Sequence, residues 1–540
     1  MSKLFERLLE IRGLDKAFLR PKYEDLTDPF LLPDLEKAVD RITQAVKSGE
    51  KILIYGDYDV DGVTASTVMA DALTLAGVEP GNINIMLPDR FADGYGMSPR
   101  LITRAQKQGI TLVITVDCGS RNHAIIDELN TLNIDTIVTD HHECDADLPS
   151  AIAVVNPKRP DFTDDKTGLR DLAGVGVAFK VAEGLVKKGL ITAGQEKWLL
   201  DLVLIGTICD NMLLTGENRI LGYYGVKVLD KTRRAGLREL MSRARVKKLT
   251  SESIGFQIGP RLNAAGRLQS ADLSLKLLRA KSSADAATLA EQLEELNQKR
   301  KTEQQSAMKE ISARGISADP VIIETGTWHE GILGLIASRL VDEHHRPAFA
   351  LAEVENGIFK GSGRSFGEFS LAKALDFVKD TIINGGGHAG AAGVRVDGKN
   401  LYAFREKINA YYRSLNLTDQ EKYLRSHADL DITDLSDLSL QFLDELKLLE
   451  PFGAGNEEPI FRLINADIIN VSRMGAEQNH LRIDIRDKKG HILKLIAFYA
   501  PENWLTLTTE DKIIPLVKLI ENDFNGVRSA EARIVDLDVL

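Results

Sequence analysis

Asp57, Asp59 and Asp61 stand at alternate positions, directly after the apolar run at 52–55 and ahead of a helical pattern that begins near Val63. Carboxylates at every second position fall on one side of an extended backbone, where they repel one another unless a positive charge lies among them. A divalent metal ion is the charge that best suits three carboxylates. The alternative is a solvated acidic turn that caps the next helix, a place that Asp and Gly favour.

Further polar residues end other apolar runs in the same half of the chain. Asp117 ends TLVITVD, Asp140, His141 and His142 end DTIVTDHH, and Asp210 ends LVLIGTICD. Carboxylates and imidazoles together suit a pair of divalent ions, which lie about 4 Å apart in hydrolytic sites and neutralise a phosphate. Such mixed ligands favour Mn²⁺, with Mg²⁺ able to substitute. Adjacent residues of a strand point opposite ways, so we expect His141 and His142 to have different roles, one on metal and one on substrate.

The elements that carry these residues alternate between strand and helix patterns from residue 52 to residue 142. The runs are short, rich in Val and Ile and apolar on both faces, which is typical of a parallel sheet covered by helices in an α/β fold. In such a fold the ligand site lies beyond the carboxyl ends of the strands. Three strands thus bring acidic and imidazole side chains to one rim, and we expect the run before Asp210 to be a fourth contributor.

The composition is that of a large enzyme of several domains. The chain has 540 residues, of which 44% are hydrophobic and 27% charged, and no apolar run approaches the ~18 residues of a membrane span. The N-terminal residues are charged and lack a signal-peptide pattern, and the three cysteines lack CxxC spacing. Both features predict a reducing, cytoplasmic setting. The net charge of −11 does not attract nucleic acid, but the segment 231–248 carries eight basic residues against one acidic. This segment is either a phosphate-binding face or a solvated helix exterior.

Changes of pattern predict five parts, with an N-terminal helical extension at 1–45, the metal-bearing α/β domain at 46–270, a connecting helix at 271–316, a second α/β domain at 317–418 and a β-rich domain at 419–540. From Leu273 to about Arg314 this connection is free of Pro and Gly and rich in Ala, Glu, Leu and Lys, which predicts one long helix or two in tandem. A coiled-coil dimer would need apolar heptads that it lacks, so we expect a monomer. From Ile460 the pattern alternates without helices, which favours a small β-barrel.

Several motifs carry a resemblance to a known family. DYDVDG at 57–62, VDCGS at 116–120 and TDHH at 139–142 occur in the order of the motifs of the DHH phosphoesterase superfamily. Five later motifs resemble the bacterial single-strand-specific exonucleases of that superfamily, and they are PRLNAAGR at 260–267, WHEGILGLIASRL at 328–340, GSGRS at 361–365, GGGHAGAAG at 385–393 and EPFGAGNEEPIF at 450–461. One motif departs from the family pattern, since GTVAD followed by an apolar stretch with Pro is replaced by GTICDNMLLTGENR at 206–219.

The resemblance implies roles for individual residues. It implies a DHH domain, a DHHA1-like second domain and an OB-like third domain. The metal ligands would be Asp59, Asp61, Asp117, His141 and Asp210, with Asp57 bridging the ions or lying behind the ligands. Asp61, Asp117 and His142 would be catalytic, with His142 on the scissile phosphate. The substrate phosphates would be held by Arg267, Ser362, Arg364 and His388, where glycine-rich segments expose backbone amides; the alternative for those segments is a set of tight turns.

The function implied by the resemblance is a metal-dependent 5′→3′ exonuclease that hydrolyses single-stranded DNA to 5′-mononucleotides in DNA repair and recombination. One alternative is a small-substrate phosphoesterase, such as a pyrophosphatase or an oligonucleotide phosphatase, which would not need the β-rich domain. The other is a non-catalytic scaffold, which would have lost acidic ligands. Single-stranded DNA is the expected partner, a single-strand-binding protein or a helicase are further candidates, and no membrane is expected.

Overall fold

The computed structural model describes residues 1–94, 96–163, 167–417, 423 and 426–540. The N-terminal part consists of α1 (Lys3–Arg12), α2 (Lys16–Leu19) and α3 (Leu35–Ser48). Phe5 and Leu8 of α1 belong to the core of the C-terminal domain, whereas α3 packs in the core of the first sheet. The predicted extension is therefore divided between two domains, and its boundary at residue 45 falls inside α3.

The first sheet is parallel throughout, as predicted. It consists of β1 (Ile52–Tyr55), β2 (Ile83–Met86), β3 (Leu112–Val116), β4 (Asp135–Thr139) and β5 (Ala153–Val155), in the order β2-β1-β3-β4-β5. The helices α4 (Val60–Leu75), α5 (Arg100–Gln108) and α6 (His123–Thr131) connect its strands. All residues of β1 and β3 are buried because helices cover both faces of the sheet.

A helical subdomain follows the sheet. It contains α7 (Gly174–Lys187), α8 (Leu200–Cys209), α9 (Gly216–Asp230), α10 (Ala235–Arg243), α11 (Ser251–Ser253), a π-helical segment (Ile254–Ile258) and α12 (Gly259–Leu268). The run LVLIGTICD is thus the helix α8 and not a strand, so the expectation of a fourth strand end at Asp210 is wrong. An apolar run of this length is compatible with a buried helix or a buried strand, and α8 is buried almost all round.

The connection to the second sheet is two helices in tandem, α13 (Asp272–Leu278) and the 32-residue α14 (Ser283–Arg314). The second sheet contains β6 (Ile322–Gly326), β7 (Ala348–Glu355), β8 (Ile358–Arg364), β9 (Asn384–Gly387) and β10 (Ala391–Asp397), in the order β6-β7-β8-β10-β9. Its helices are α15 (Leu333–His344), α16 (Leu371–Phe377) and α17 (Leu401–Ser414). Most of the glycine-rich residues lie in β8, β9 and β10, so they form strands more than turns.

The C-terminal domain is built on a seven-stranded sheet, in the order β11-β12-β16-β17-β15-β14-β13. The elements are β11 (Leu430–Ile432), α18 (Leu440–Leu446), β12 (Phe461–Leu463), β13 (Asp467–Met474), β14 (His480–Arg486), β15 (Ile492–Ala497), α19 (Glu502–Leu505), β16 (Ile513–Phe524) and β17 (Val527–Val539). Helix α19 interrupts the region expected to lack helices. The boundary predicted between 418 and 419 lies outside the described residues. In the described chain no helix is long and apolar enough to cross a membrane.

Candidate metal centre and substrate groove

The first metal-binding candidates follow the carboxyl end of β1. Asp57 and Asp61 are buried, and Asp59 caps α4 by accepting a hydrogen bond from a first-turn amide at 3.0 Å. Asp61 also accepts hydrogen bonds from the amides of Gly174 (2.7 Å) and Val175 (2.9 Å) at the N-terminus of α7. The turn therefore caps the next helix, as the alternative interpretation expects, but two of its carboxylates are buried and not solvated.

Side chains from three strand ends and one helix end meet beside this turn. Two sets of ligand atoms, each within 4.8 Å of one another, are formed by Asp57, Asp59 and Asp117 and by Asp61, His141 and Asp210. Nε2 of His141 lies 3.1 Å from Asp117 Oδ1 and 3.6 Å from a carboxylate oxygen of Asp210, which joins the two sets. Two adjoining sets of this kind match a pair of ions about 4 Å apart.

The carboxylates of this cluster lack enough positive charge from the protein itself. Burial, followed by the negative charge of Asp59, raises the pKa of Asp57 to about 8 and the pKa of Asp210 to about 7. Burial and neighbouring carboxylates raise the pKa of Asp61 and of Asp117 well above the usual range. Among the described residues, Oδ1 of Asp117 is buried without a hydrogen-bond donor. Burial lowers the pKa of His141 to about 3, so its imidazole is neutral, as a metal ligand must be. This donor set fits Mn²⁺ or Mg²⁺.

His142 differs from His141 in charge. Nδ1 of His142 lies 2.9 Å from Asp140 Oδ1. Burial alone would lower the pKa of His142 and raise that of Asp140, but this contact outweighs burial. The pKa of His142 is therefore raised to about 9, and the pKa of Asp140 is lowered. The expectation that the two rings point opposite ways is wrong, because their centroids lie 4.5 Å apart and both rings approach Asp117. Strand β4 ends at Thr139, and the amides of both histidines then donate to Asp140 Oδ1 in a turn. The two imidazoles therefore differ in protonation and not in direction.

Arginines gather next to the carboxylates. Burial and then the charge of Arg90 lower the pKa of Arg267, on α12, to about 9, and lower that of Arg364, at the end of β8. Nη1 of Arg364 lies 3.2 Å from Ser362 Oγ. In the described part of the chain no carboxylate forms an ion pair with these three arginines. Guanidinium groups that repel one another in this way suit a phosphate.

Arg90 is a site residue that the sequence analysis missed. It lies in the loop between β2 and α5, with its guanidinium 4.9 Å from the centroid of the Tyr58 ring. The next residue, Phe91, contacts His329 of the second α/β domain, with ring centroids 5.3 Å apart. The carboxylates were identified because they follow the carboxyl ends of strands. Arg90 lies in the loop that follows β2, so a search of that strand end would have identified it as well.

His388 stands apart from the other predicted phosphate-binding residues. It lies in the turn between β9 and β10, where its side chain is exposed and its amide donates to the Ala391 carbonyl at 2.8 Å. No contact among the described residues joins it to the arginines or to the carboxylates.

A groove of about 1400 Å³ adjoins the site and is lined by all three domains. Its basic residues are Lys227, Lys248, Arg267, Arg300, Arg339, Lys447, Lys518 and Arg533, and its acidic residues are Glu252, Asp342, Glu450, Glu457 and Glu458. Basic side chains thus outnumber acidic ones in a chain of net charge −11. Of the segment 231–248, Lys248 lines the groove, whereas Arg234 forms ion pairs with Asp201 and Asp71. Most of that segment therefore lies outside the groove lining.

The site and fold together define a DHH-type phosphoesterase with two further domains. The DHH family N-terminal domain matches residues 51–207, the DHHA1 domain residues 318–414 and the RecJ OB domain residues 429–536. The chain belongs to the RecJ family. It is 33% identical to the single-stranded-DNA-specific exonuclease RecJ of Bacillus subtilis (strain 168), over 100% of this chain and 68% of that protein. It is 31% identical to the RecJ exonuclease of Escherichia coli (strain K12), over 98% of this chain and 95% of that protein.

Solved structures agree with this assignment. The crystal structure of RecJ from Thermus thermophilus in complex with Mn²⁺ has a TM-score of 0.84 and 29% identity, over 99% of this chain and 75% of that one. The same protein in complex with Mg²⁺ has a TM-score of 0.78 and 27% identity, over 99% and 74% of the two chains. The RecJ relatives therefore bind divalent metal ions, and the predicted α/β fold with an OB-type third domain is confirmed.

Proposed function

We propose that this protein is a metal-dependent exonuclease that hydrolyses single-stranded DNA from the 5′ end to 5′-mononucleotides in DNA repair and recombination. The observation that carries the proposal is the juxtaposition of the carboxylate cluster, in which Oδ1 of Asp117 accepts no hydrogen bond from any described residue, and the arginines Arg90, Arg267 and Arg364. The first can hold metal ions and the second a phosphate, as phosphodiester hydrolysis requires. The RecJ relatives, which are named single-stranded-DNA-specific exonucleases, support the choice of substrate.

Two ions are proposed, with Mn²⁺ favoured over Mg²⁺. One set of ligands is Asp57, Asp59 and Asp117, and the other is Asp61, His141 and Asp210. The mixed oxygen and nitrogen donors support Mn²⁺, and the two adjoining sets support the count. Bound divalent ions would activate water and neutralise the phosphate that it attacks.

The remaining residues are proposed to act on the DNA. His142, cationic through its contact with Asp140, donates a hydrogen bond to an oxygen of the scissile phosphate. Arg90, Arg267 and Arg364 hold the terminal 5′ phosphate together with Ser362. His388 is proposed to contact a phosphate only if the exposed hairpin turn of β9 and β10 closes on the strand.

The groove favours a strand over a small molecule. Its volume of about 1400 Å³ and its basic lining, shared by three domains, exceed what a pyrophosphate would need, and no ligand has been lost as in a scaffold. We also propose a cytoplasmic location, since a nuclease of chromosomal DNA acts where that DNA lies. We further propose that the protein is a monomer that contacts a single-strand-binding protein or a helicase.

The test is hydrolysis of end-labelled single strands that carry a 5′ phosphate or a 5′ hydroxyl, with Mn²⁺, with Mg²⁺ and with EDTA. Arg364→Ala removes a charge-assisted contact worth about 1.5–3 kcal/mol, so it should reduce the preference for the 5′ phosphate roughly ten- to a hundred-fold. Arg413→Ala is the matched control, since this exposed arginine of the same domain pairs with Asp319 at 3.5 Å. Degradation from the 3′ end, equal cutting of circular strands, or full activity in EDTA would each refute the proposal.

A further inference from the structure

Phe256 is a large aromatic side chain that none of the roles above uses. It lines the groove with 78% of its surface exposed. It belongs to the π-helical segment Ile254–Ile258, in which Ile254 and Ile258 are buried in the core while Phe256 faces outward. π-Helical turns are rare and are frequent at functional sites. The segment anchors an aromatic ring in a groove that is otherwise rich in charge.

The position of Phe256 relative to the arginines follows from the helix that it precedes. The π-helical segment continues directly into α12, where Pro260, Asn263 and Arg267 also line the groove. Spacings of four, three and four residues put these side chains on one face of a helix. At about 1.5 Å per residue, Phe256 lies about 16 Å along this face from Arg267.

We infer that Phe256 is a base-stacking residue for the single strand in the groove, a step that rests on the proposed function. An exposed ring offers a flat apolar face on which any base can stack, while Lys227 of the same groove suits a backbone phosphate. Lys248 and Lys518 also line the groove, where they pair with Glu450 at 2.8 Å and Glu458 at 3.2 Å. With the terminal phosphate near Arg267, a strand that is stacked only as far as Phe256, with a rise of about 3.4 Å, presents its last stacked base to the ring at roughly the fifth nucleotide. Bases in a duplex stack on neighbours on both sides, so this contact favours unpaired DNA.

The kinetic test compares 5′-phosphorylated strands of about 12 nucleotides with dinucleotides, which are too short to reach Phe256. Phe256→Ala should lower the ratio of kcat/KM for the long strand to that for the dinucleotide by about five- to a hundred-fold, the effect of losing one base–aromatic stack. Phe256→Trp should retain the ratio and Phe256→Leu should not, because leucine keeps the apolar volume but not the aromatic face. Phe524→Ala is the matched control, since this ring is 70% exposed at the end of β16 and lies outside the groove lining.

A binding test reports on stacking itself. In EDTA, 2-aminopurine placed at successive positions of the strand should be quenched most near the fifth nucleotide, and the quenching should disappear in Phe256→Ala and return in Phe256→Trp. An unchanged ratio in Phe256→Ala, or equal behaviour of the leucine and tryptophan variants, would overturn the inference. If the alanine variant does not fold, the leucine and tryptophan pair decides. A wild-type protein that does not degrade single strands would instead refute the proposed function.

Discussion

Replacement of Asp117 by Asn is expected to abolish hydrolysis but to stabilise the metal-free protein. Asp117 is 1% exposed, and burial together with the surrounding carboxylates raises its pKa well above the usual range. At an effective dielectric constant of about 20, two unit charges 4.8 Å apart repel by about 3 kcal/mol. The carboxyl group either stays charged against this repulsion or takes up a proton on folding, and asparagine avoids both costs. Asparagine also tolerates the left-handed backbone at this position, where φ is 61°.

The gain depends on pH in a defined direction. Because the pKa of Asp117 is higher in the folded than in the unfolded protein, its unfavourable contribution is absent below the unfolded value of about 3.9 and grows as the pH rises above it. We expect Asp117→Asn to raise the free energy of unfolding in EDTA by about 1–3 kcal/mol at pH 8, or roughly 1–3 °C in Tm for a chain of this length, with a smaller gain at pH 5.

The assay is thermal unfolding in EDTA and then in Mn²⁺. Asp34→Asn is the control, because Asp34 has a similar left-handed backbone (φ 57°) but pairs with Arg159 at 2.7 Å. Although burial opposes the change, hydrogen bonds from Lys37 and Arg159 lower the pKa of Asp34, so the same substitution should lower Tm at pH 8. Mn²⁺ should raise the Tm of the wild type more than that of Asp117→Asn, since the variant has lost a ligand. If Asp117→Asn lowers Tm in EDTA as Asp34→Asn does, the argument from repulsion is wrong.

Two further predictions concern how the domains are held. The guanidinium of Arg219 is buried and donates to four backbone carbonyls, three of them at the start of the C-terminal domain. Arg219→Met should therefore lower stability by at least about 2 kcal/mol and raise the KM of long strands, and a KM equal to the wild type would contradict this. The hydrogen bond from Arg41 lowers the pKa of Glu50 in the folded protein. The ionised Glu50 therefore stabilises the fold fully above its unfolded-state pKa of about 4.3, and this stabilisation is lost as the pH falls through its folded-state pKa. Arg41→Gln should narrow the difference in urea-unfolding free energy between pH 7 and pH 3, whereas a profile parallel to the wild type would refute the linkage.

Much of the metal centre could be predicted from the sequence, for a geometric reason. Parallel strands have their carboxyl ends at one edge, so Asp57, Asp117 and His141, which follow β1, β3 and β4, had to lie near one another. Asp210 was identified, but its element was not, because a fully buried apolar run shows no periodicity that separates helix from strand. The directions of His141 and His142 depended on the residue at which β4 ends, and strand ends are the least certain part of such a prediction.

Contacts between distant parts of the chain were beyond the sequence patterns. The first helix packs against a domain that lies far along the chain, where Arg12 bonds to Asp429 at 2.6 and 3.0 Å. Its amphipathic spacing indicates that it buries one face, but no local pattern names the partner of that face.

Two glycines show how the metal centre and the phosphate-binding arginines come within reach of one another. A Cβ on Gly266 of α12 would lie 2.5 Å from the carbonyl oxygen of Tyr58, in the metal-binding turn, and a Cβ on Gly331 of the second α/β domain would lie 1.8 Å from the carbonyl oxygen of Arg267. Helix α12 is thus in backbone contact with both domains, and any side chain at either position would push them apart. Because Arg364 belongs to the second domain and Asp57 to the first, the distance between terminal-phosphate site and metal ligands depends on these two contacts. On the proposed function, we therefore expect Gly266 and Gly331 to help set the length of the product.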